Sequence, residues 1–116
     1  MSAKKHKGRG IVRISKAKLS DMIEQATVDA YGEAEQITGW FTMIEGNLAV
    51  PFNTTVLGVQ VTVHRVDLDR SHQIIAVCKH GRARRSLSVL DLTLPTPSPD
   101  GAEWIEAYRR WCVEIK

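Results

Sequence analysis

From Ser15 onward the chain switches between two hydrophobic rhythms. Leu19, Met22, Ile23, Ala26 and Ala30 recur at spacings of three and four, which lays an apolar stripe along one face of a helix. Ser15 precedes the stripe and suits an N-cap, because its hydroxyl can accept from an orphan backbone N–H. Tyr31-Gly32 is the expected stop, with glycine supplying a left-handed residue. A second helical pattern runs from about Glu33 to Asn47, with Ile37, Trp40 or Phe41, Ile44 and Leu48 as its apolar face. Gly39 lies inside it and is expected to weaken it modestly, and Gly46-Asn47 is a natural end. Two such helices joined by a short turn predict a helical hairpin facing a shared core.

Pro51 ends the helical rhythm. Beyond it Thr54, Thr55, Val56, Val59, Val61, Thr62, Val63 and Val66 are β-branched and favour strands, with Leu57-Gly58 as a turn or bulge. Asp67 to His72 reads as a polar loop, and Gln73 to Lys79 as an apolar run of strand length, hence a central strand. After a tight turn at His80-Gly81-Arg82, Arg84 to Leu90 resumes as a strand, Leu87 and Val89 alternating with Ser86 and Ser88. Leu94 to Pro99 is a proline-rich, extended connector. Asp100-Gly101 or Ser98 then caps a last helix from about Ala102 to Val113, whose buried face is Trp104, Ile105, Tyr108 and Trp111. Arg109 and Arg110 suit the negative end of its dipole. The expected fold class is α+β: an N-terminal helical hairpin, a small SH3-like β-barrel or curled antiparallel sheet, and a C-terminal helix. Residues 1–14 form a basic flexible tail and residues 15–116 one domain, with 15–50 helical, 51–94 β and 100–114 the last helix.

Charge sharpens this picture. Residues 1–20 hold seven Lys/Arg and no acid, whereas the remaining residues hold nine Lys/Arg against thirteen Asp/Glu. The net charge of +3 therefore describes a basic tail on an acidic body, not a uniformly basic nucleic-acid binder. No apolar run reaches the eighteen or so residues of a membrane span, and the basic N-terminus is not followed by an apolar stretch. Cys78 and Cys112 form no CxxC pair, and a reduced, cytoplasmic setting is the expectation.

Candidate chemistry is sparse. There is no P-loop, GxGxxG, HExxH or GxSxG, and no paired acid/base pattern, so the chain is read as non-enzymatic. His6, His64, His72 and His80 show no metal spacing and read as surface histidines, His64 facing out of a strand and His72 and His80 in turns. Asp67, Asp69 and His72 begin like an EF-hand loop, but the glycine at position six and the glutamate at position twelve are missing. The acid-only stretch 21–50 is more informative: it holds six Asp/Glu and no Lys or Arg. On a helical hairpin, Asp29, Glu33 and Glu35 gather at the tip, while Glu45 and Asn47 sit at the far end of the second helix. Carboxylates without local cations repel one another, and a hard cation that takes several oxygen ligands relieves that repulsion. The plainer alternative is a solvated acidic helix face. A second charged feature, Lys79, Arg82, Arg84 and Arg85 around one turn, suits phosphate contact or protection of a sheet edge. Phe52 is the only aromatic residue between 50 and 100, so base stacking has little support there.

The run Val28-Asp29-Ala30-Tyr31-Gly32-Glu33-Ala34-Glu35-Gln36, then Gly39-Trp40-Phe41, then Ile44 to Phe52, followed by a β region and a terminal Trp/Tyr helix, resembles the small bacterial calcium-binding family of CcbP-like proteins over about residues 19 to 112. The resemblance implies a helical pair, a small β-barrel and Ca2+ binding through acidic groups, carried over to Asp29, Glu33, Glu35, Glu45 and Asn47. The family pattern resembles Glu-Asp-Asn-Leu where this chain has Glu45-Gly46-Asn47-Leu48, one carboxylate fewer. The expectation is a calcium-binding or calcium-responsive regulatory module. The alternative is a metal-free adaptor that meets nucleic acid or another acidic partner through the basic tail and the 79–85 turn.

Overall fold

The computed structural model describes residues 14–114; the basic tail lies outside them apart from Ile14. The elements are α1 (Lys16–Thr27), α2 (Glu33–Asn47), β1 (Phe52–Val56), β2 (Val59–Leu68), β3 (Ile74–His80), β4 (Ala83–Ser88) and α3 (Ala102–Glu114). Ser15 caps α1 as expected, its Oγ accepting from the Lys18 N–H at 3.1 Å. Leu19, Met22 and Ala26 are buried from that helix, with Ile23 packed at the margin. α1 stops at Thr27, however, four residues before the expected Tyr31. The left-handed residue is Asp29 (φ 60°), and the Ala30 N–H returns to the Thr27 carbonyl. Aspartate tolerates this conformation better than most side chains. Gly32 is extended and serves instead as the N-cap of α2.

The four strands form one antiparallel sheet in the order β1-β2-β3-β4. Of the two forms expected for the β half, an open antiparallel sheet is observed and the closed barrel is corrected, since β1 and β4 remain edges. The physical reason lies in the chain after β4. It crosses back toward β1 as an irregular connector, where the Thr54 hydroxyl donates to the Thr93 carbonyl. Pro95, Pro97 and Pro99 have no N–H to give a ladder, so this segment does not become the strand that would close the sheet.

Alternation along the strands gives the sheet two unlike faces. Val61, Val63, Val66, Ile74, Ala76 and Cys78 are buried on the inner face, against the helices. The ladder between β2 and β3 slips at His64: Val63 opposes Cys78, whereas Arg65 opposes Val77. This β-bulge turns both His64 and Arg65 outward and restores Val66 to the core.

Helix α2 packs against α1, α3 and β2, with Trp40 at the centre of the core and fully buried. Its ring meets Trp104, Tyr108 and Trp111 of α3 at centroid separations of 6.2, 5.8 and 5.8 Å. Aromatic contacts of this geometry add about 1 kcal/mol each beyond the area they bury. Arg109 does not act on the helix dipole. Its guanidinium donates to the Val89 carbonyl (2.9 Å from Nη2) and to the Leu92 carbonyl, which pins the connector onto α3. Arg110 reaches the Ile14 carbonyl at 3.3 Å and Glu114 at 3.4 Å.

Candidate functional site

The turn between α1 and α2 brings two of the expected ligand residues together. Asp29 and Glu35 line one depression of about 450 Å³, with Thr38 and Thr42 along its α2 side. Positions 35, 38 and 42 are spaced by three and four, so their oxygen-bearing side chains share one face of the helix. Among the described residues, no Lys or Arg lines this depression. Asp29 enters it from the left-handed turn, and Glu35 from the third position of α2. The Glu35 carboxylate also accepts from the Tyr31 N–H at 2.7 Å. That bond supplies part of the capping that Gly32, without a side chain, does not.

His72 closes the opposite wall. It is left-handed (φ 64°), and its Nε2–H meets the Ala34 carbonyl at 2.9 Å, with Thr38 Oγ1 at 3.0 Å. The β2–β3 loop is thereby fastened to the first turns of α2. The rest of that loop is self-contained: Asp69 Oδ1 accepts from the Ser71 and Gln73 N–H groups, and Asp67 accepts from the Leu68 N–H. Asp69 is spent on a turn bond of the Asx kind, and Asp67, at the end of β2, faces Arg65 across 3.8 Å, which agrees with the failed EF-hand match.

Glu33 faces a neighbouring groove of about 860 Å³, shared with Tyr108, Arg109 and Cys112. The Arg109 guanidinium makes that groove the poorer place for a cation. Burial pushes the Tyr108 phenol well above its usual range, and a hydrogen bond with Cys112, the Cys112 charge and the Glu33 charge push the same way. Burial also raises the Cys78 thiol. Both groups are held neutral by folding, so the unfolded chain loses those protons first as pH rises. Their contribution is intact at neutral pH and is lost above the unfolded values, about 8.5 for Cys and 10 for Tyr. The urea midpoint should therefore hold level from neutrality to about pH 8.5 and then fall steadily, with Tyr108→Phe flattening the upper part of the fall. A midpoint that stays level well beyond pH 10 would contradict this.

Glu45 and Asn47 do not join Asp29 and Glu35. They stand ten or more residues along α2 from Glu35, about 15 Å at the helical rise. Glu45 is exposed, and the Asn47 amide donates to the Met43 carbonyl at 2.8 Å. Among the described residues no group of three or more His, Cys, Asp and Glu gathers in a metal-binding cluster. The cationic set divides as well. Lys79 and Arg84 are cross-strand partners on the outer face, Arg82 lies in the turn, and Arg85 pairs with Cys78 on the inner side. His80 ends β3, its Nδ1 3.0 Å from the Gln60 carbonyl. Thr38 and Thr42 are lining residues that sequence reasoning missed, and His72, weighed there only with Asp67 and Asp69, lines this depression instead. The threonines had a signal in their helical spacing from Glu35, but the meeting of His72 with α2 had none, because the histidine arrives from a loop 34 residues beyond Thr38.

The family model described as calcium binding, of the CcbP type, matches residues 21–112, from α1 to the last turns of α3. No curated protein matches the chain. Two solved structures share its fold. A calcium-binding protein in its calcium-binding form is 17% identical, with a TM-score of 0.68, covering 86% of this chain and 96% of that one. Anabaena CcbP is also 17% identical, with a TM-score of 0.66, covering 87% and 93%. At this identity the likeness is one of fold. None of the described helices is long and apolar enough to cross a membrane.

Proposed function

Because this chain belongs to the CcbP family of calcium-binding proteins, we propose that it binds Ca2+ at the α1–α2 turn, between Asp29 and Glu35. The observation that supports this placement is that Asp29 and Glu35 line one depression in which, among the described residues, there is no Lys or Arg. The donor chemistry fits a hard cation: carboxylate and hydroxyl oxygens, no thiol, and a histidine already bonded to α2. Two carboxylates make a low ligand charge, so waters complete the shell and the affinity lies at the weak end, on the order of 10⁻⁴–10⁻³ M. Glu33 stands one groove away and contributes through charge. Bound calcium supplies positive charge at the turn and no reaction.

A responsive role follows from Glu35. The same carboxylate caps Tyr31, so drawing it toward an ion alters the turn that carries Val28 and Tyr31, which are 65% and 88% exposed. Calorimetry with calcium should give heat that saturates at millimolar concentration. Asp29→Asn and Glu35→Gln should each weaken binding by about tenfold, whereas Glu45→Gln, about 15 Å away, should leave it unchanged. In the same titration followed by NMR, the Tyr31 amide should be among the resonances that move most. Absence of heat at millimolar calcium would end this reading, and loss of binding in Glu45→Gln alone would move the site to the other end of α2.

A further inference from the structure

The outer face of the sheet carries a second charged feature. The bulge in β2 turns His64 and Arg65 to the same side as Lys79 of β3 and Arg84 of β4. These four residues and Val77 line a depression of about 140 Å³. Val77 is its floor: it points away from the helices, yet it is only 5% exposed. Lys79 and Arg84 stand directly opposite one another across the ladder, an arrangement of like charges that destabilises an antiparallel pair. Among the described residues, no acid lines the depression. The sole ion pair to its cations among the described residues is Arg65 with Asp67 at 3.8 Å, both more than half exposed and so well screened.

We propose that His64, Arg65, Lys79 and Arg84 form a binding site for a single phosphate-type oxyanion on the outer sheet face, separate from the α1–α2 turn. A tetrahedral oxyanion above Val77 meets guanidinium groups from two strands, which offer paired N–H donors, and an ammonium from the strand between them. It also offsets the Lys79–Arg84 repulsion, which no protein carboxylate does among the described residues. The depression has room for one such group and not for a nucleobase with its sugar, and no aromatic ring lines it for stacking. The ligand class is therefore inorganic phosphate or a phosphate monoester.

The test uses the full chain in calcium-free buffer at constant ionic strength, so that its outcome is independent of the calcium reading. Inorganic phosphate and glycerol phosphate are titrated separately, with chloride as the reference anion, and amide shifts are followed by NMR. Saturable shifts centred on residues 64–65, 77–79 and 84 are expected with either phosphate, the stronger of the two naming the source. Lys79→Gln and Arg84→Gln should each weaken binding by about tenfold, and Arg82→Gln, outside the depression, by less than about twofold. These are exposed positions, and circular dichroism confirms that each variant is folded. Shifts that do not saturate, or an Arg82→Gln loss equal to the others, would overturn the site in favour of a diffuse field. Binding of a polyanionic oligonucleotide without binding of either phosphate would overturn it as well.

Discussion

Gly101→Ala should destabilise the protein by at least about 3 kcal/mol, read as a drop in the urea midpoint at neutral pH. Two independent costs meet at this residue. Its φ of 86° lies in the left-handed region that a Cβ disfavours. A Cβ there would also sit far inside contact distance of the Asn47 carbonyl and 2.7 Å from the Leu48 Cα, all backbone atoms that have no rotamer through which to yield. Gly101 is where the connector docks on the end of α2 and α3 begins: the Ala49 N–H donates to the Asp100 carbonyl at 2.8 Å, and the Trp104 N–H to the Gly101 carbonyl at 3.0 Å. Gly101→Asn separates the two costs. Asparagine tolerates a positive φ but brings the same Cβ, so it should be nearly as damaging as alanine if the contact dominates. A loss under about 1 kcal/mol for alanine would show that neither cost operates.

Gly39→Ala is the second large effect, and its sign opposes the usual rule. Inside an exposed helix this change stabilises by about 1 kcal/mol. At Gly39 a Cβ would be driven into the Ala26 carbonyl, with the carbonyl carbon at 3.1 Å, because α1 and α2 cross backbone to backbone there. Forcing the helices apart also loosens Trp40 and Met22, both in the core, and should cost about 2–4 kcal/mol. Gly46 lies in the same helix with nothing near its missing Cβ, so Gly46→Ala should instead gain up to about 1 kcal/mol. Opposite signs for the two substitutions, measured in one denaturation series, test the close crossing. A stabilising Gly39→Ala would refute it. The crossing also forms the floor of the proposed calcium depression, since Ala26 and Gly39 both line it, so Gly39→Ala should weaken calcium binding even where the protein remains folded.

Much of the architecture was legible because burial imposes a period. The stripes Leu19–Met22–Ala26, Ile37–Trp40–Ile44 and Trp104–Ile105–Tyr108–Trp111 became the helical side of the core. The continuous run in β3 became a central strand, and Leu57-Gly58, with φ of 51° and 80°, became the hairpin turn. The end of α1 departs from the pattern because Tyr31-Gly32 has the composition of a stop, whereas the reversal uses Asp29, a residue whose left-handed conformation is conditional on its surroundings. The bulge is present in the sequence as a change in valine spacing, two residues from Val61 to Val63 and three from Val63 to Val66.

Candidate ligands were legible as residue types but not as a set. Acids on one hairpin do not share a site merely by being neighbours in sequence; α2 is fifteen residues long and holds its two ends apart. His72 reaches α2 from the β2–β3 loop, and Arg65 reaches Lys79 through strand pairing, and neither meeting has a local signature.

By itself, then, the sequence determined which segments are helix and strand, which faces they bury, and that an acidic stretch lies apart from the cationic residues, because these follow from local periodicity and charge. Only the tertiary structure decided that the sheet stays open, that Gly39 and Gly101 are sites of backbone contact, and that Asp29 and Glu35 line one depression while Arg65, Lys79 and Arg84 line another. Those outcomes depend on how close distant backbones come, and a one-dimensional pattern does not encode that distance.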